Sequence, residues 1–430
     1  MNISVLSWTG SPVLENGHWY IDVRVILESD HGGRTVIRSE VNGRSAETEV
    51  DVEKGRFSSL FRIDAGDVEL WHTNTEGRPH VYPLQLFMNE WTQSRPVAFY
   101  TYEIQDGMAT VNGKRIKLRG AVSRMKEGVR YESLIKSAEI SSLNAIVLSG
   151  DEDEDFTAAC HRAGLLPLME DQLPPSVVHI ESKKCREGDY LPEIQQALDV
   201  CDRISAVRPC SDNAGFIIHS LNDVDDGVED GAMTSQGKWK LLQYALRRFS
   251  APLCPFVMVR DGKIEAYVAN DSLKDEKVEL SVKVRDFSGR KHEAREHALT
   301  VPALSSVLVD TLSIRYPSDK VFCYVRMASK DLLRERTRLL SADASLEDPE
   351  IKVSVNRTGS RTLSITVTAE KPAFYVSFSS GCIEGLFSDN MIAVRPTAEK
   401  TVIFQSADEV DIEEFRKELK VYDLYSALKI

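Results

Sequence analysis

The chain has 430 residues, 42% of them hydrophobic, which is long enough for two to four domains and apolar enough to bury their cores. Lysine and arginine total 53 against 66 aspartates and glutamates, a net charge of −13 with no basic tract, so a nucleic-acid partner is excluded. No apolar run reaches the roughly 18 to 20 residues of a membrane helix, and the opening MNISVLSWTGSPVLENG has no leader pattern, so a soluble chain with no membrane contact and no signal peptide is expected.

From Trp19 to Leu86 apolar residues alternate with polar ones and are broken by His-Gly-Gly, Asn-Gly and Lys-Gly turns. This is the pattern of short antiparallel strands, and a sandwich of about 100 residues is expected. After Val111 the grammar changes. An Asn-Gly hairpin leads to Ile116–Leu118, followed by a helix over 131–142, a strand at Asn144–Leu148, a helix around 156–163 and a strand from Gly164 to Leu168. Alternating strand and helix predicts a parallel α/β sheet. A helix over 191–200, a strand at Gly215–His219 and a helix over 238–249, ended by Pro252, continue it. Alternation then returns from Lys263 to Met327 and again from Ile351 to Phe404, which predicts two further sandwiches. The expected fold class is multidomain β and α/β, with sandwiches at 1–105, 251–345 and 346–430 and the α/β segment at 106–250.

Seven scattered cysteines with no C-x-x-C pair indicate neither a disulfide framework nor a zinc site. Sequons occur at Asn2, Asn270 and Asn356. The acidic runs Asp151–Asp155 and Asp225–Asp230 lack the spacing of a calcium loop, so no metal and no cofactor is expected.

Leu70-Trp71 and the stretch Thr73-Asn74 through Gly77, Pro79, Tyr82 and Leu84 close the first sandwich, and Val111-Asn112-Gly113 through Gly120-Ala121 and Gly215 through Asp223 follow in the α/β segment. In order and spacing these segments resemble the β-mannosidases of glycoside hydrolase family 2, the first being similar to the signature that closes that family's immunoglobulin-like domain. Val111-Asn112-Gly113 through Gly120-Ala121 resembles the start of its catalytic (β/α)8 barrel, and Ser137-Ala138 through Asn144 and Gly150 its first helix and second strand. Gly215 through His219-Ser220-Leu221-Asn222-Asp223 resembles the last barrel strand, and Gly237 through Trp239, Tyr244 and Pro252 the final helix. Asn270-Asp271, Asp286-Phe287-Ser-Gly289 and Phe387-Ser388-Asp389-Asn390 fit two C-terminal domains. The resemblance implies an exo-glycosidase of terminal β-mannose, with carbohydrate or a glycoprotein glycan as partner. Animal members are lysosomal and many bacterial members cytoplasmic, which leaves the compartment unknown.

The chain departs from that family where its chemistry resides. A retaining glycosidase needs an acid/base and a nucleophilic carboxylate about 5 to 5.5 Å apart. The resemblance places both glutamates on barrel strands, one in a Trp-x-Gly-Asn-Asn-Glu motif that this sequence lacks. Its Asn89-Glu90 lies before the barrel and reads as a strand end. Arg115 to Ser250 spans 136 residues. A closed barrel takes about 250, so roughly half is missing, between Pro175 and Gly215. Family aromatic and polar positions are also replaced, by Val147, Ser149, Leu168, His219 and Ser220. A truncated, non-catalytic barrel is therefore expected, with no catalytic residue assigned. The alternative is an active enzyme with rearranged carboxylates, for which Glu170, Glu187 and Glu193 are the candidates. His219, Asn222 and Asp223, at the C-terminal end of the last strand, are the candidate substrate-binding residues. An unclosed barrel leaves strand edges exposed, so self-association through an open edge is also expected.

Overall fold

The computed structural model describes residues 3–124, 131–150, 154–224, 229–396 and 398–429. The chain divides into two compact units, Met1–Ile116 with Tyr131–Glu139 and Asn144–Pro175, and Lys117–Arg130 with Ile140–Leu143 and Ser176–Ile430.

The first unit contains two antiparallel sheets. One sheet pairs strands Ile3–Glu15, His18–Ser29 and Gly55–Gly66, and the other runs in the order Arg44–Val52, Gly33–Val41, Tyr82–Met88, Trp91–Val97. Period-two alternation sends Ile21, Val23, Val25 and Leu27 into the core, each fully buried, to meet Trp8, Ile37, Leu84 and Leu86. Asn16-Gly17 and Asn42-Gly43 turn their hairpins with positive φ at both residues, the twist a two-residue loop demands. Helices α1 (Tyr131–Ile140) and α2 (Glu154–Ala163) and the parallel strands Ala145–Ser149 and Leu166–Met169 complete the unit. Gly164, at φ +72°, lets its carbonyl accept from Asn74 N–H at 2.9 Å; a Cβ there would meet the Asn74 backbone at 2.6 Å.

The second unit opens with strand Leu118–Arg124, which pairs in parallel with Gly215–His219, itself paired in parallel with Val178–Glu181. The central strand is buried on both faces, Phe216, Ile217 and Ile218 being at most 1% exposed, whereas His179 and Glu181 on the edge strand are exposed. Helix α3 runs Tyr190–Val207, longer than the expected 191–200, and helix α4 runs Leu241–Phe249. Two more sandwiches follow. Strands Leu253–Arg260, Lys263–Asn270 and Ser305–Ser313 face Lys291–Val301, Glu276–Asp286, Val321–Ser329 and Leu332–Leu339 across a core of Val268, Val282, Val325 and Met327. The last sandwich surrounds Leu363, Ile365, Val376, Phe404 and Phe415, the last on helix α5 (Ile412–Glu418).

Candidate functional site

The C-terminal ends of the second unit's parallel strands gather most of the polar side chains flagged in the sequence. His219 ends its strand with Nε2 2.8 Å from Nδ1 of His179, on the neighbouring strand, and Nδ1 4.0 Å from the Glu181 carboxylate. Three residues on, the Asn222 side chain is fully buried. It accepts from Arg124 N–H at 3.1 Å and donates to Arg124 O at 3.0 Å, tying two strand ends together.

Asp223 accepts from Gly231 N–H at 2.7 Å and forms an ion pair of 2.6 Å with Lys240, whose ammonium also donates to the carbonyls of Cys185 and Glu229. Burial raises the Asp223 carboxyl above its ordinary range, against the pull of Lys240 and Gly231. Beside it, Asp230 receives both Arg124 guanidinium nitrogens, at 2.5 and 3.1 Å, and the Ser220 hydroxyl at 3.2 Å. Asn222, Asp223 and Asp230 thus spend their polar atoms on one another's strands and loops.

The candidate carboxylates have separate fates. Glu170 follows its strand in a short 3-10 turn, Glu170–Gln172, and is exposed. Glu187 pairs with Lys238 at 2.7 Å. Glu193, 5% exposed on α3, accepts from Gly188 N–H and from Leu241 N–H, both at 2.7 Å, so it caps the start of α4 from outside that helix. Burial pushes its carboxyl up, opposed by those two bonds. Both of its oxygens are occupied by main-chain donors.

Of the acidic runs, Asp151 to Asp153, Asp225 and Asp226 fall outside the described residues; Glu154 and Asp155 begin α2, where the helix dipole favours them. Among the described residues no cluster of three metal-ligating side chains occurs. Asn270 is fully buried with its amide bonded to three carbonyls, Asn356 is exposed, and Asn2 lies outside the described residues. Lys240 and Arg124 carried no signal in sequence, because a single lysine beside a tryptophan reads as a solvated helix start.

Residues 262–341 match the mannosidase Ig/CBM-like domain, and residues 346–427 the Ig-fold domain of mannosidases. The chain is 34% identical to the β-mannosidase of Mus musculus over 77 residues, which is 18% of this chain and 9% of the mouse protein. It is 25% identical to that of Bos taurus over 183 residues, 38% of this chain and 21% of the bovine protein. The chain thus matches about a tenth to a fifth of the length of these curated relatives. In fold it is similar to a β-D-mannosidase from Dictyoglomus thermophilum, with a TM-score of 0.75 at 13% identity over 98% of this chain and 76% of that one. An exo-chitosanase from Amycolatopsis orientalis gives 0.68 at 13% identity over 98% and 78%. Two mannosidase-type domains in series, at 262–341 and 346–427, and a fold like that of the Dictyoglomus thermophilum enzyme make this chain similar to the β-mannosidases.

Proposed function

We propose that this chain is a non-catalytic β-mannosidase relative, organised as sandwiches at 1–105, 251–345 and 346–430 around a shortened barrel at 106–250. The observation that carries this reading is the use of Glu193. Of the three candidate carboxylates it alone is buried, and each of its oxygens accepts a main-chain N–H at 2.7 Å, which supports a structural rather than a catalytic use. Glu170 and Glu187 are a solvated turn residue and a lysine-paired side chain, neither of which provides the raised acid of a carboxylate pair. A remnant of this kind serves as a binding module, and a carbohydrate or a glycoprotein glycan is the ligand class its relatives' names suggest.

The test is incubation of the purified chain with 4-nitrophenyl β-D-mannoside. The expected result is release no faster than in buffer. Turnover that disappears on Glu170→Gln, Glu187→Gln or Glu193→Gln would establish the other reading, an exo-β-mannosidase with rearranged carboxylates.

A further inference from the structure

Within the second unit, a cavity of about 470 Å3 lies where α3 and α4 meet the strands of the two C-terminal sandwiches. Its walls hold an excess of cations. Four of these have carboxylate partners: Arg338 bonds Asp202 through both guanidinium nitrogens, Arg248 pairs with Asp389 at 2.6 Å, and Arg395 and Lys400 share Glu335 at 3.4 and 2.8 Å.

Three further lining arginines, Arg247, Arg334 and Arg336, have no carboxylate partner among the described residues. Strand Leu332–Leu339 reads Leu-Leu-Arg-Glu-Arg-Thr-Arg-Leu, and period two brings Arg334, Arg336 and Arg338 to one face. Arg336 is buried, donates to the carbonyls of Glu335 at 2.7 Å and Arg248 at 2.5 Å, and stacks 5.1 Å from the Phe249 ring. Arg247 donates to Ser388 O. Arg334 makes no hydrogen bond to the described residues, and its Nε is buried without a partner. Burial, and repulsion from Arg336, Arg208 and Arg247, hold its guanidinium below the ordinary arginine range.

Arg336 is buried and Arg334 half-buried, while Arg247 is exposed beside them; unpaired charges withdrawn from water are costly, and proteins keep them where a counter-charge is supplied. Guanidinium forks match the paired oxygens of phosphate, and cavities of about 300 to 1,000 Å3 hold small molecules rather than bare ions. The lining also includes the apolar side chains of Phe256, Met391, Ile392 and Leu198. A nucleic acid is opposed by the net charge of −13. We propose that this cavity is a binding site for a small organic phosphate, its phosphoryl oxygens held by Arg247, Arg334 and Arg336 and its carbon skeleton packed on Phe256, Met391 and Ile392.

Calorimetric titration of the full chain with glycerol 3-phosphate and, separately, with inorganic phosphate tests this. Expected are one-to-one binding of glycerol 3-phosphate, several-fold tighter than phosphate, and a loss of about tenfold in Arg334→Gln, the worth of one charge-assisted bond. Arg34→Gln, on the first sandwich and paired with Asp51, serves as control and leaves affinity unchanged. Arg247→Gln replaces Arg334→Gln if the latter fails to fold. No saturable binding of glycerol 3-phosphate up to about 10 mM, far weaker than any useful affinity, overturns the proposal. So do equal affinity for the two anions and an undiminished affinity in the arginine-site variant.

Discussion

Lys240 Nζ stands 2.6 Å from Asp223 Oδ2, the lysine side chain fully buried and the aspartate 9% exposed. Removing one member of such a pair strands the other charge away from water. Lys240→Met is expected to cost about 3 to 5 kcal/mol, read as a lowered urea midpoint at unchanged slope. In the double variant Lys240→Met/Asp223→Asn, part of that loss returns, because no charge is left buried. A double variant less stable than Lys240→Met alone would show that Asp223 is satisfied without its lysine.

Glu193→Ala should behave as the loss of a cap. The buried Leu241 N–H loses its acceptor while that of exposed Gly188 can turn to water, at about 1 to 3 kcal/mol. Glu193→Gln, which keeps one acceptor oxygen, is expected to lie between wild type and Glu193→Ala in chemical denaturation.

His161 predicts the pH response of the first unit. Its ring lies between Trp71 and Tyr100, with the tyrosine hydroxyl 3.1 Å from Nε2, and burial pulls its pKa down from 6.5 to about 4. The unfolded chain therefore binds this proton first. The stabilisation from a neutral His161 is complete above pH 6.5 and is lost as pH falls toward 4. The loss is about 2 kcal/mol, less than the full shift implies because the ring keeps some solvent exposure. His161→Gln should remove that component from stability measured at pH 7 and at pH 4.5. An unchanged pH dependence in the variant would assign it to other groups.

All seven cysteines are free thiols, with Cys210 and Cys382 exposed and the other five buried. Burial pushes Cys160, Cys185 and Cys323 up to about 12, so they carry no thiolate at neutral pH. Titration of the native chain with a thiol-reactive chromophore should count two, rising to seven in guanidinium. A native count above two would place one of the five within reach of solvent.

Strand Val178–Glu181 pairs with Gly215–His219 along one edge, and no further partner strand is recorded beside it among the described residues. Sedimentation velocity across about a hundredfold range of concentration should show reversible self-association through such an edge. Strictly monomeric behaviour over that range would tell against it.

The alternating strands of the sandwiches were legible because each turn residue and each buried position obeys period two, as in Ile21, Val23, Val25 and Leu27. The α/β segment was legible in part. Lys238 was assigned to the last helix, yet the helix begins at Leu241, because Lys240 is held in extended backbone with its ammonium in the buried cluster. Strand Val178–Glu181 escaped notice because four residues between prolines and a lysine-rich loop carry too short a pattern. The Asp223–Lys240 and Arg124–Asp230 pairs join residues 17 and 106 positions apart, and no local pattern announces a contact made only by folding.

Tyr244, on α4, is 3% exposed inside the core of the last sandwich, against Trp239 at 5.1 Å, and Arg248 of the same helix donates to the carbonyls of Asn390 and Met391. The C-terminal domain therefore owns a tyrosine that the chain supplies a hundred residues before that domain begins. Excised at its apparent boundary near residue 346, it would carry a hole the size of a phenol ring. Inherited or shuffled as a cassette, it would have to travel with that helix.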